Sequence, residues 1–235
     1  FIYALIWRGV KNLSKIFVKL VPVMSLDHSP VECELQDYYA GDWVDALDEL
    51  KLSIDERRVI ANSGAYALGR KTDELIIGAL SQAGSANDVG DYAEVMGKKD
   101  ILDAFARLNE NDVPDDGQRF GLVGPHQWNA LLNIQEFSNS DYAGDNLPFL
   151  KGTESRKWLG INWIMHTGLP LNGTSRDCFI FHKTAVGHAC GQEVKSDISW
   201  HGDHAAHFVN NMMSQGACLI DETGVVRIKC KEASI

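Results

Sequence analysis

The chain has 235 residues, 45% apolar and 23% charged, and a formal net charge of −10 at pH 7. That length allows one large domain or two small ones around a sizeable core. The acidic balance argues against general affinity for nucleic-acid phosphates, which needs clustered Lys and Arg. No run approaches the roughly 18 apolar residues that a spanning helix requires, so no membrane partner is expected.

Residues 1–26 carry Arg8, Lys11, Lys15 and Lys19 and no acid. The basic residues run throughout FIYALIWRGVKNLSKIFVKL, unlike the uncharged centre of a signal peptide, although a membrane-surface helix is a second reading. The first residue is Phe1 rather than Met, so a truncated or processed start is expected. From Asp27 to Glu56 ten acids stand against one base, Lys51. Two solvated surfaces are the simple reading of this split; a basic arm lying on an acidic neighbour is the sharper one. VPVMSL and PVECEL, broken by Pro22 and Pro30, read as short extended segments of an arm or long hairpin.

The pattern changes at Gly41. Trp43, Leu47 and Leu50 recur at helical spacing in GDWVDALDELKL. Ser53 followed by Glu56 is a capping-box signature, and it opens a long helix expected from Ile54 to about Gln82, with Gly84 as the stop. Such a helix is on the order of 40 Å long. Ala61, Ala65, Leu68, Thr72, Leu75 and Ala79 form a stripe of mainly small residues that would let a sheet or helix approach closely. Arg57, Arg58, Arg70, Lys71, Asp73 and Glu74 occupy the other side, which suits a strut better than a catalytic core.

A second helix is expected over Lys98–Leu108, closed by NENDVPDDG at 109–117. From Arg119 the pattern alternates. RFGLV reads as a strand, PHQWNALLN as a short helix with Pro125 in its first turn, and WLGINWIM (158–165) and CFIFHK (178–183) as strands. TAVGHAC reads as a short helix and EVKSDISW as a strand. DETG at 221–224 supplies a turn before the closing strand GVVRIKC.

Several motifs test for chemistry. GAYALGRKT at 64–72 misses a phosphate loop by one register and sits in a helical pattern whose amides are already used. His201, His204 and His207, with Asp203 between them, are the best metal candidates, and His201 and His204 would carry a metal-dependent enzyme reading. Neither one helix nor one strand makes all three converge, and HExxH is absent. They read instead as surface or interface histidines, as do His182 and His188. Five cysteines, Cys33, Cys178, Cys190, Cys218 and Cys230, contain no CxxC and read as free thiols. Cys178 and Cys190 have histidines nearby in sequence, but no GxSxG elbow or paired acids stand out. Trp128, Trp158, Trp163 and Trp200 read as core. No enzyme, catalytic residue, metal or cofactor site is expected.

Three stretches carry a resemblance: GDWVDALDELKLSIDERRVIANSGAYALGRKTDELII (41–77), KWLGINWIMHTGLPL (157–171) and HGDHAAHFVNNMMSQGACLIDETGVVRI (201–228). Over roughly residues 22–232 the chain resembles tailed-bacteriophage major capsid proteins, with NNMMSQGA a fairly specific run. The resemblance implies an α+β fold of the Hong Kong 97 capsid type: an N-terminal arm and extended β-loop (1–40), a peripheral domain (41–118) with a spine helix at about 54–82, an axial domain (119–200), and strands returning to the peripheral domain (201–235). It implies self-assembly into hexamers and pentamers of an icosahedral head around unspecifically enclosed DNA, with scaffolding, portal and decoration proteins as partners. The location implied is the virion capsid, and the host cytoplasm during assembly. An encapsulin-like compartment shell is the alternative within the same fold. Residues 1–21 depart from the family's extended loop, and no position is assigned to a Lys–Asn crosslink.

Overall fold

The computed structural model describes residues 29–51, 54–134, 137 and 156–232, and the chain within that range divides into two compact units. The basic segment with Lys11, Lys15 and Lys19, the VPVMSL segment and Ser53 lie outside the described residues.

The first unit joins residues 33–81 to residues 187–218. Strand β1 (Gln36–Asp45) pairs antiparallel with β9 (Ala206–Leu219), and β9 pairs on its other side with β8 (Val186–His201). Residues 41–45, expected to open a helix, belong to β1 instead; helix α1 covers only Ala46–Lys51. The alternation in YYAGDWVD meets a ten-residue partner on β9, and ladder pairing outweighs a short helical spacing. TAVGHAC is likewise no helix: a single 3-10 turn at Lys183–Ala185 leads straight into β8. Its Ala and Val residues are carried into the long hairpin with β9.

Helix α2 (Glu56–Ser81) is the long helix, 26 residues. Asp55 caps it: its carboxylate accepts from the Arg58 amide at 3.2 Å. At the other end the Ser81 hydroxyl donates to the Ile77 carbonyl at 2.8 Å. Helix α2 packs on β1, and Gly64, beside the small-residue stripe, comes close to Asn211 of β9. A Cβ at Gly64 would lie 2.9 Å from Cγ of Asn211 and 3.3 Å from the Ala40 carbonyl oxygen. The strand side facing α2 is Val209, Asn211, Met213 and Gln215, all buried at period two.

The second unit joins residues 82–186 to the chain from Leu219. Its strands are β2 (Val89–Gly90), β3 (Arg119–Val123), β4 (Arg156–Trp158), β5 (Ile161–Met165), β6 (Leu171–Asn172), β7 (Ser175–His182) and β10 (Val225–Lys231). They form one mixed sheet in the order β2-β10-β7-β3-β5-β4, with β6 added on β7. WLGINWIM is thus two antiparallel strands about a turn in which Leu159 and Gly160 have positive φ. Helix α3 (Lys98–Glu110) packs on β10 and buries Ile101, Ala104 and Leu108. Helix α4 (Pro125–Leu132) follows β3 with Pro125 in its first turn. β3 and β5 are parallel, as a crossover through a helix allows.

This pairing groups the chain differently from boundaries placed in sequence order at 118/119 and 200/201. β8 and β9 fold as one hairpin onto β1, while β10 lies between β2 and β7. Antiparallel hydrogen bonding across the whole of β9 and β10 decides this, whatever lies adjacent along the chain.

Candidate assembly surfaces

The histidine-rich run sits at the tip of the β8–β9 hairpin, with residues 202–205 forming the turn. His201 ends β8, His204 lies in the turn, and both rings pack on Trp43 of β1, at centroid distances of 5.1 and 4.5 Å. Phe208 closes the group at 4.7 Å from the same ring. His207 points to the other face of the sheet and meets Trp200 at 4.9 Å. The three imidazoles are neither on one strand nor on one helix. The hairpin sends two to one face and the third to the other. His204 also faces the Asp203 carboxylate at 3.5 Å, with both side chains exposed. No group of three or more metal-ligating side chains forms among the described residues.

His182 is not a surface residue: it is 3% exposed. Its Nε2 is 3.0 Å from Asp116 Oδ1, and its Nδ1 accepts from the Thr184 amide at 3.3 Å and lies 2.8 Å from the Thr184 hydroxyl. Acceptance from the amide fixes the proton on Nε2, where it is donated to Asp116. The Asp116 carboxyl is held below the usual aspartate range, first by the Gln118 backbone amide and then by His182. These bonds pin the 183–185 turn to the loop before β3. His188 is exposed, as expected, and reaches Gln215 Oε1 at 3.2 Å.

The buried polar residues of the NNMMSQGA run find partners within the sheet and on α2. Asn211 donates its amide to the Ala40 carbonyl at 3.2 Å and accepts the Ser196 hydroxyl. Gln215 Oε1 accepts the Thr72 hydroxyl at 2.7 Å. Buried amides without such partners cost about 1–3 kcal/mol each; the Asn211 bonds tie the three strands together, and the Thr72–Gln215 bond ties the helix to the sheet. They also settle the near-miss phosphate motif. Lys71 pairs with Glu74 at 2.8 Å and lies over the Tyr38 ring, and Thr72 is spent on Gln215.

The cysteines are free. Cys178 is fully buried with its Sγ 3.9 Å from that of Cys230, and the Cys230 contact together with burial pushes its thiol well up. Exposed Cys190 receives a weak bond from Gln215 Nε2 at 3.9 Å. Of the tryptophans, Trp128 and Trp163 are core, and Trp158 bridges Phe137 and Trp163. Trp200 is 53% exposed, because β8 is an edge strand and α2 packs on β1 and reaches β9 at Gln215.

What remains exposed is the informative surface. One face of the three-stranded sheet carries Tyr39 (68% exposed), Trp43 (42%) and half-buried Phe208 and Met212, beside the exposed acids Asp37 and Asp45. On the α2 side, the edge strand leaves Val194, Ile198 and Trp200 uncovered. Aromatic side chains ringed by charge are the usual content of a protein–protein contact. The helical spacing of Trp43, Leu47 and Leu50 hides this face in the sequence. The alternation of Asp37, Tyr39, Gly41, Trp43 and Asp45 carried the signal.

A family model described as phage capsid protein matches residues 14–232. No relative among curated proteins matches the chain. Among solved structures, the capsid of cyanophage P-SCSP1u aligns with a TM-score of 0.73 at 15% identity, over 98% of this chain and 83% of that one. The capsid asymmetric unit of cyanophage Pam1 aligns with a TM-score of 0.72 at 14% identity, over 100% and 85%. The SrpI encapsulin of Synechococcus elongatus aligns with a TM-score of 0.62 at 11% identity, over 88% and 78%. The shared architecture is the Hong Kong 97 type capsid fold.

Proposed function

We propose, from the premise that this chain belongs to the phage capsid protein family, that copies of it close into hexamers and pentamers of an icosahedral head around packaged DNA. It is a phage major capsid protein with a structural role in the virion capsid. The observation that carries the reading is the family match over residues 14–232, nearly the whole chain. The geometry supports it: a long helix locked on a three-stranded sheet makes a stiff strut, and both faces of that sheet leave aromatic residues uncovered.

The unit built on α2 and the β8–β9 hairpin takes the peripheral role, and the seven-stranded unit takes the axial role at capsomer centres. Residues preceding β1 serve as the arm. A standard interface buries about 1,600 Å², and a shell subunit repeats such contacts on several sides, so modest contacts sum to a rigid lattice. The net charge of −10 fits a wall that encloses DNA without gripping it. Assembly takes place in the host cytoplasm, with scaffolding, portal and decoration proteins as further partners. Electron microscopy of the purified protein, alone and with its scaffold, should show capsomers or closed shells. Monomers under every assembly condition would sink the reading.

The encapsulin likeness favours one alternative, a cellular compartment around a protein cargo. Nuclease-protected genomic DNA inside native particles decides for the phage head, and an enzyme cargo for the compartment.

A further inference from the structure

Two pairs of cysteines lie near one another, and backbone placement and exposure separate them chemically. The β1–β9 ladder begins at Gln36, opposite Gln215, and residues 32–35 before it are not strand. That segment crosses β9 at Gly216: a Cβ there would run into the Glu34 carbonyl oxygen and lie 3.4 Å from Cys33 Sγ. The Cys33 sulfur thus fills the space that Gly216 leaves open, and period-two alternation puts Cys218 on the same side of β9 two residues on. Cys33 is buried, and Cys218 is partly open to solvent.

The other pair differs on both counts. Cys178 stands opposite Ile228 and Cys230 opposite Arg176, so the two cysteines are diagonal. Diagonal Cα atoms lie about 7–8 Å apart, at or beyond the roughly 7 Å that a disulfide spans. Both are sealed in the core, 0% and 1% exposed.

We propose that Cys33 and Cys218 form an oxidation site that closes into an intramolecular disulfide by exchange with a low-molecular-weight disulfide, tying the segment before β1 to the far end of β9. In the first step the Cys218 thiolate attacks one sulfur of the small disulfide, breaking its S–S bond, expelling one small thiolate and leaving a mixed disulfide. The Cys33 thiolate then attacks Cys218 Sγ and expels the second small thiolate. Two protein thiols are oxidised to one disulfide, the small disulfide is reduced to two thiols, and the two protein thiol protons pass to the released thiolates. Burial, and then the Cys33 contact, push the Cys218 thiol up to about 11. The first step is therefore slow at neutral pH, and the pair stays reduced in a reducing cytoplasm. Once closed, the link shuts a loop running from 33 to 218 and stiffens the sheet against unfolding.

The test uses the full wild-type chain, as soluble subunits or assembled particles, incubated natively with oxidised glutathione. Free thiols are then capped with N-ethylmaleimide, and unreduced peptides are mapped by mass spectrometry. The expected product joins the Cys33 and Cys218 peptides with loss of two hydrogens. Its formation should speed up about tenfold per pH unit while the thiolate is scarce. Cys178 and Cys230 should become cappable only after denaturation. Three results would overturn the proposal: Cys218 remaining a glutathione adduct beside a free Cys33, a link from Cys218 to any other cysteine, or both thiols staying cappable. In Cys33→Ser the reaction should stop at the adduct on Cys218. The wild-type peptide map decides the question even if that variant does not fold.

Discussion

Gly64 of the long helix lies directly on the Asn211 side chain of the central strand, so the helix touches the sheet where it has no side chain. The contact sets how far α2 sinks onto β9, and it brings Thr72 two turns later within 2.7 Å of Gln215.

Gly64→Val should lower stability by about 1–3 kcal/mol, the usual cost of forcing extra methyls into a filled contact. Gly69, on the same helix, has open space around its Cβ position. Gly69→Ala should be neutral or stabilising by up to about 1 kcal/mol, because glycine is a poor helix former. The thermal midpoint should fall in Gly64→Val and hold or rise in Gly69→Ala, and equal losses would remove the special role of Gly64.

Asn211→Ala should cost about 1–3 kcal/mol, since it leaves the Ala40 carbonyl and the Ser196 hydroxyl without their buried partner. Denaturant midpoints at unchanged slope would report this. A change under about 0.5 kcal/mol would mean that water replaces the amide.

Trp43→Ala with Tyr39→Ala should weaken assembly while leaving the subunit folded, because Tyr39 is largely exposed and Trp43 touches mainly the hairpin tip. Light scattering should show a critical concentration raised at least tenfold, and circular dichroism an unchanged fold. Assembly at the wild-type concentration would show that this face is not an interface.

Asp116 links stability to acid. Its folded pKa is depressed, so its contribution is present above the ordinary value of 3.8 and is lost as pH falls through the lowered folded value. Asp116→Asn should lower stability near neutrality and flatten the acid limb, so that its difference from wild type shrinks as pH falls below about 4. Chemical denaturation across that range checks the sign.

His201→Ala with His204→Ala should leave bound metal unchanged, because both rings are spent on Trp43 and His207 faces away from them. Stoichiometric zinc or iron lost in the double variant would restore the metal reading.

The sequence by itself determined the elements whose signal is local. The span of α2, helices α3 and α4, the strands around 119–123, 178–182 and 225–231, and the closing turn at 221–224 all lie within windows where periodicity and caps act. Its runs also carried the family resemblance, including NNMMSQGA, where alternating buried positions and paired amides explain why those residues occur together. Only the tertiary structure decided what depended on distant pairing. Residues 41–45 became strand because β9, more than 160 residues later, offered a ten-residue ladder. That ladder placed Trp43 between His201 and His204 and turned His207 to the other face. Local spacing cannot encode such choices, because a strand's partner and register are set by hydrogen bonding and burial across the sheet.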